Sequence, residues 1–291
     1  MSITRIDLHT HSTASDGTDT PVELVRKAVQ AGLAVLALTD HDTLDGLAAA
    51  RREAAGHALV FVRGCELSTA TPWGEAHFLG LWIPEDDPKT AALENALAEV
   101  CEKRKERNLR IAARLRELGM TNVTYEAAAA LAGGRVVGRP HFAELLCRLG
   151  VVKDRKEAFH RYLGKDGSAF VPRELMNPER AVSLLKGAGA LVSMAHPRLL
   201  RAPVEELEHM VLRLKDFGLD ALEAYHSEHD AGDVRLCVEL AARHGLQLTG
   251  GSDYHGEAKP KVEIGCGRGN LRVGISVYES LMNYRVKSGL A

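Results

Sequence analysis

Where a short apolar run in this chain reads as a strand, a histidine or a carboxylate tends to stand at its end. His9 and His11 lie in IDLHTHS, with Asp16 in the loop after them, and His41 follows VLALT in LTDHDT. Glu66 closes FVRGCE, His196 follows LVSMA, and Asp253 and His255 follow LQLTGG in GGSDYHG. His77 belongs to one more such run, EAHFLG. Polar groups at the ends of fully apolar strands cost free energy unless they are paired or bound to an ion. Two histidines two residues apart on extended chain also project to the same side. The pattern therefore asks for a fold that gathers strand ends on one face.

Periodicity supplies such a fold. Strands are expected at Arg5 to His9, Leu33 to Thr39, Leu59 to Glu66, Ala76 to Trp82, Leu191 to Ala195, Ala221 to Tyr225 and Leu246 to Gly250. Helices are expected at Pro21 to Ala31, Leu44 to Ala55, Val204 to Phe217, Ala231 to His244 and Ser276 to Val286. Strand–helix–strand repetition implies parallel strands with helices outside. Chemistry at the C-terminal strand ends favours a (β/α) barrel over an open sheet. The middle of the chain differs. From Thr90 to Leu163 it is rich in Ala, Leu, Glu and Arg, and reads as a long helix (Thr90 to Leu118) with shorter ones at Tyr125 to Leu131, Pro140 to Leu149 and Lys156 to Leu163. The expected architecture is an α/β barrel formed by residues 1–89 and 164–291, with a helical insert, 90–163, over its active-site face.

Composition excludes several classes. With 37 basic against 39 acidic side chains, a general surface for long duplex nucleic acid is not expected. No run of roughly 18 apolar residues is present, so no membrane partner is expected. The N-terminus, MSITRIDLHTHS, lacks the apolar core of a signal peptide. The five cysteines form no CxxC pair and read as buried, reduced thiols of a cytoplasmic protein.

Six imidazoles and three carboxylates are more than one ion needs and suit two or three divalent metals, which generate hydroxide and hold phosphate at neutral pH. A ligand set without thiolate fits Mn first, with Fe or Zn as alternatives. Asp16, Glu66 and Asp253 would leave residual positive charge, favouring a phosphate dianion over a neutral amide or ester. Asp40 is expected to orient a ligating histidine.

The ordered set HxH with a following DG, TDHD, Glu, AHP and SDxH resembles the polymerase and histidinol phosphatase (PHP) domain, from Asp7 to His255. The resemblance implies a metal-dependent phosphoesterase with a distorted (β/α)7 barrel and a trinuclear site. In that scheme His9, His11, Glu66 and Asp253 hold one metal. Glu66 bridges to a second, held also by His77 and His196, and Asp16, His41 and His255 hold the third.

Phosphate calls for bidentate cations near the metals. Arg135 and Arg139 in GRVVGRPH, at a helix start, are the expected clamp for a second phosphate. His226 and His229 in YHSEH are expected to act in catalysis by protonating the leaving oxygen, or, for His229, to bind substrate. The segments GRPHFAELL, AFHRYLGKDGSAFVPR, EAYHSEH and TGGSDYHG resemble the PHP subgroup that includes nucleoside 3′,5′-bisphosphate phosphatases and short-RNA 5′–3′ exonucleases. The resemblance implies removal of a 3′-phosphate from such nucleotides by in-line attack of metal-bound hydroxide. Alternatives are short-RNA 5′–3′ hydrolysis, histidinol-phosphate hydrolysis and, outside enzymes, a metal-stabilised binding module. An amidohydrolase is disfavoured, because no lysine is a candidate for a carbamylated bridge and Glu66 fills that role.

Overall fold

The structure, a computed structural model, describes residues 4–133 and 136–290. The chain divides into two compact units, Met1–Asn95 with Met176–Ala291, and Ala96–Leu175. In chain order the elements are β1 (Arg5–Asp7), α1 (Pro21–Gln30), β2 (Leu33–Leu38), α2 (Leu47–Ala54), β3 (Val60–Thr71), β4 (Gly74–Leu81) and α3 (Ala91–Glu117). There follow α4 (Tyr125–Ala132), α5 (Arg139–Arg148), α6 (Arg155–Ala158) and α7 (Pro178–Gly187). The chain ends with β5 (Leu191–Ala195), α8 (Val204–Lys215), β6 (Ala221–His226), α9 (Ala231–His244), β7 (Gln247–Gly251) and α10 (Ile275–Lys287).

The seven strands of the first unit form one sheet in sequence order. Alternation along β2 shows why. Val35 and Ala37 join a core with Ile6, Leu8, Val62, Leu79, Leu191 and Ala221. Leu36 and Leu38 point the other way, onto Leu24, Val25 and Ala28 of α1 and Leu47 and Ala50 of α2. A strand covered on both faces must be apolar throughout, as LAVLAL is. α1 starts where a Thr20–Glu23 capping box and Pro21 in the first turn satisfy its free amides.

The expectation of parallel strands fails at β4, which runs antiparallel to both β3 and β5. Only Pro72 and Trp73 lie between Thr71 and Gly74, enough for a hairpin but not for a crossover. Glu66 accordingly does not end its strand, because β3 runs on through Ser68, Thr69 and Thr71. A helix absent from the sequence expectation, α7, is capped by Asn177 with Pro178 at its first position.

The sheet nearly closes on itself. Leu8 N–H donates to Gly250 O at 3.2 Å, Asp253 N–H to His9 O at 2.9 Å and His11 N–H to Tyr254 O at 2.9 Å. Gly251 makes this seam possible, since a Cβ there would lie 2.4 Å from His9 Cβ. The result is a distorted, nearly closed α/β barrel of seven strands.

The second unit has its own core of Ile111, Leu115, Val123, Phe142, Leu146, Leu163 and Val171. It holds no strand among its described residues. Because Ala169 and Val171 are buried in that core, the unit extends past residue 163. Of the cysteines, only Cys65 and Cys237 are buried. Cys101 is exposed, and Cys147 and Cys266 are intermediate, so the expectation of uniformly buried thiols was too broad. Among the described residues no helix is long and apolar enough to cross a membrane.

Candidate functional site

All nine residues expected to bind metal gather at one end of the barrel. The register explains the meeting. Past the end of β2, Glu66 N–H donates to Asp40 O at 3.1 Å and Asp42 N–H to Glu66 O at 2.9 Å, which sets His41 beside Glu66. β4 is reversed, so its early residue His77 lies at the same end, paired in register with Ala195 next to His196.

Glu66 is the hub. Its Oε2 lies 3.3 Å from His9 Nε2, 3.2 Å from His11 Nε2 and 3.1 Å from His41 Nδ1. Its Oε1 lies 3.0 Å from His77 Nδ1 and 3.2 Å from His196 Nε2. Asp253 Oδ1 stands 3.4 Å from His11 Nε2, and Asp16 Oδ1 stands 3.2 Å from His255 Nε2. Four overlapping groups have donor atoms within 4.8 Å of one another. They are His11, Asp16, His41 and His255; His9, Glu66 and His196; His9, His11 and Asp253; and His41, Glu66 and His77.

The arrangement fits cations better than it fits hydrogen bonding. His9 Nε2, both ring nitrogens of His11, His41 Nδ1, His77 Nε2 and Glu66 Oε2 are buried with no hydrogen-bond partner. Each such atom costs about 1–3 kcal/mol when unsatisfied. Six imidazoles and three carboxylates aimed at common points would recover that cost by ligating hard or borderline divalent ions. Backbone strain is concentrated here too. His196 (φ 27°), Asp253 (φ 56°) and Asp42 (φ 54°) adopt left-handed conformations, which cost of order 1–3 kcal/mol each and persist where surroundings over-determine them.

Without an ion, protons share the cluster unevenly. Burial depresses the His11 pKa, but Asp253 and Glu66 outweigh it and lift it to about 9. Burial likewise opposes, and Glu66 and Glu75 overcome, a rise at His77 to about 10. At His41 burial wins and lowers the pKa to about 3. Burial works against the charge of Glu66, yet His41, His9 and His77 hold its carboxyl well below the usual range.

Asp40 does not orient a histidine. It accepts from Ser12 N–H at 2.8 Å, Ser12 Oγ at 2.6 Å and Ser15 Oγ at 2.5 Å, and so fixes the loop that carries Asp16. A carboxylate outside the nine that meets one of the clustered histidines is Glu223 of β6, 2.9 Å from His9 Nδ1. The sequence reading missed it, although a glutamate inside ALEAYH was a signal of the same kind as Asp40 after VLALT. It also missed Lys259, whose Nζ sits on Asp253 Oδ2.

His226 and His229 are buried beside the cluster, their ring centroids 5.3 Å apart. Glu228 N–H donates to His226 Nδ1 at 3.1 Å, which leaves the proton of a neutral ring on Nε2, 3.4 Å from Asp253 Oδ2. His229 is set the opposite way. Its Nδ1 donates to Ala224 O at 2.9 Å, and its buried Nε2 lone pair has no partner. Arg139 begins α5 in the second unit, donates to Leu163 O at 3.3 Å and lies over the rings of Phe159 and Phe170. Arg135 lies outside the described residues.

Comparison with known proteins agrees with this geometry. The PHP domain matches residues 7–132. The 5′–3′ exoribonuclease Rnm of Salmonella typhimurium is 34% identical over 261 residues, covering 89% of this chain and 87% of that protein. The 3′,5′-nucleoside bisphosphate phosphatase of Chromobacterium violaceum is 34% identical over 262 residues, with 89% and 90% covered. A solved structure described as an amidohydrolase of Chromobacterium violaceum, with sulfate bound and no metal, superposes with a TM-score of 0.79 at 31% identity, covering 96% of both chains. With relatives this similar along nearly its whole length, and with the ordered motifs brought together at one barrel end, the chain belongs to the PHP domain family.

Proposed function

We propose that this chain is a phosphatase, dependent on two or three divalent ions, that removes the 3′-phosphate of nucleoside 3′,5′-bisphosphates to leave 5′-mononucleotides. The observation that carries the reading is the convergence of nine candidate ligand side chains, five of which (His9, His11, His41, Glu66 and His77) hold buried polar atoms without a hydrogen-bond partner. The substrate class is supported by a relative of that name at 34% identity. A sulfate-bound structural neighbour supports an affinity for tetrahedral oxyanions. That neighbour's description as an amidohydrolase finds no counterpart in this site, where a glutamate and not a lysine meets the histidines.

The ions would be held by His9, His11, Asp16, His41, Glu66, His77, His196, Asp253 and His255, with Mn as the first choice and Glu66 shared between positions. When bound, they supply an activated water and positive charge against the phosphate oxygens. The chain's own residues do the rest. His226, with Nδ1 accepting from Glu228 N–H, presents an Nε2–H that can donate a hydrogen bond to the departing ribose oxygen. His229 offers its Nε2 lone pair to a substrate hydroxyl. Arg139 and Arg135 select substrates bearing a 5′-phosphate.

Stepwise 5′–3′ hydrolysis of short RNA is the second reading, because the Rnm relative is equally similar. Both readings would use the same metal core, and a nucleoside 3′,5′-bisphosphate and a 5′-phosphorylated RNA both carry a 5′-phosphate, so one site can serve both. The test is phosphate and nucleotide release from adenosine 3′,5′-bisphosphate, histidinol phosphate and a 5′-phosphorylated RNA dinucleotide, with Mn²⁺ supplied and then chelated. Mn-dependent conversion of the bisphosphate to AMP is expected. Cleavage of histidinol phosphate alone would overturn the substrate assignment, and no turnover of any substrate would overturn the enzymatic reading.

A further inference from the structure

Glu223 is fully buried on β6, and both of its oxygens are engaged with residues that carry ligands. Oε1 lies 2.9 Å from His9 Nδ1, at the end of β1, and Oε2 accepts from His196 N–H at 2.8 Å, at the end of β5. We propose that Glu223 is a positioning residue: it fixes the tautomer of His9 and holds the strained turn at His196, so that both rings present Nε2 to the metal cluster. The proposal rests on the metal-centre reading above and goes beyond it in assigning a residue that is not itself a ligand.

The argument is one of donors and acceptors. A backbone N–H can only donate, and a ring nitrogen 2.9 Å from a carboxylate oxygen carries its proton toward that oxygen. With Nδ1 protonated, the His9 lone pair lies on Nε2, which faces Glu66 Oε2 at 3.3 Å and Asp253 Oδ1 at 3.7 Å. His196 needs a second restraint, because its φ of 27° is unfavourable for a residue with a Cβ. The Glu223 hydrogen bond to its amide anchors that turn, and His196 Nε2 then stands 3.2 Å from Glu66 Oε1. Serving two donors at once requires an acceptor on each side, which a carboxylate has and a carboxamide of the same size lacks. In Glu223→Gln the NH₂ must face either the His196 amide, donor against donor, or His9 Nδ1. Facing His9, it would move the ring proton to Nε2 and remove the ligating lone pair. Carboxylates that orient ligating histidines in this way typically govern about 10–100-fold in metal affinity.

The experiment uses the full chain and Zn²⁺, a diamagnetic probe. Metal-free wild type, Glu223→Gln and Glu223→Asp are titrated calorimetrically, and the histidine ring nitrogens of the Zn-loaded wild type are assigned by ¹⁵N NMR. The expected result is about 10–100-fold weaker binding for Glu223→Gln, partial recovery in Glu223→Asp, and a wild-type His9 protonated at Nδ1 and metal-bound through Nε2. Equal affinity for wild type and Glu223→Gln would overturn the inference alone. Failure of the wild type to take up Zn²⁺ would overturn the metal-centre reading and this inference with it. Should Glu223→Gln not fold, the wild-type spectrum decides, and His9 bound through Nδ1 would refute the proposal.

Discussion

Replacing Glu66 with glutamine exchanges one oxygen for an NH₂ group and removes a negative charge from the point where five imidazoles meet. Those rings approach its two oxygens at 3.3, 3.2, 3.1, 3.0 and 3.2 Å for His9, His11, His41, His77 and His196. The side chain is 1% exposed, so water cannot take over its role. Removing one partner from a buried charge interaction costs about 3–5 kcal/mol. At ~1.4 kcal/mol per factor of ten, that is roughly a hundred- to three-thousand-fold loss of metal affinity. The side chain of Asp16 is 54% exposed, so Asp16→Asn is expected to lose much less. The assay is calorimetric titration of the metal-free proteins with Mn²⁺, with phosphate release from adenosine 3′,5′-bisphosphate followed at limiting and saturating Mn²⁺. Circular dichroism checks that the fold is kept. Wild-type affinity in Glu66→Gln, or a greater loss in Asp16→Asn, would refute the hub reading.

Proton competition gives a second prediction. His11 and His77 titrate near 9 and 10 in the metal-free protein, so at neutral pH both must lose protons to bind metal. Apparent Mn²⁺ affinity should therefore rise between pH 6 and 8 with measurable proton release, and a pH-independent affinity would contradict it. Because these folded-state values lie above the free-histidine value, the stability they confer is present below about pH 6.5 and lost as pH rises through 9 to 10. Glu66, held low, contributes stability above its unfolded value that is lost in acid. The chelated protein should thus melt at lower temperature at pH 10 than at pH 8. Gly251→Ala forces a Cβ to within 2.4 Å of His9 Cβ at the barrel seam. It should destabilise by about 1–3 kcal/mol or more, read as a lower melting temperature, and an unchanged melt would mean the seam can open. Arg139→Ala should weaken turnover of 5′-phosphorylated substrates much more than that of a generic aryl phosphate, and equal losses would remove it from substrate selection.

The clustered histidines and carboxylates were legible because each is a costly choice at its position. His41 after VLALT and Asp253 after LQLTGG have no reason to stand at the mouth of an apolar strand unless something binds them. The barrel followed from the alternation of strands and helices, whereas the close approach of Gly251 to His9 at its seam was seen only in the structure. What was not legible is long-range. Asp40 and Glu223 look alike in sequence, one a carboxylate just past an apolar strand and the other within one. Only the closed sheet decides that Asp40 reaches Ser12 and Ser15 while Glu223 reaches His9. The reversal of β4 could be read from the two residues before Gly74. Its consequence, that His77 near the start of its strand meets Glu66 on β3, needed the register. The tautomers of His226 and His229 depend on single backbone groups, Glu228 N–H and Ala224 O, that no side-chain pattern reports.

The central claim is that these nine side chains hold divalent ions, and the most direct measurement is the number of metal atoms per chain. Element analysis of protein purified without chelator, then of the same protein saturated with Mn²⁺ and desalted, should give between two and three per chain. The number should fall in Glu66→Gln. Less than one metal per chain after saturation would contradict the account.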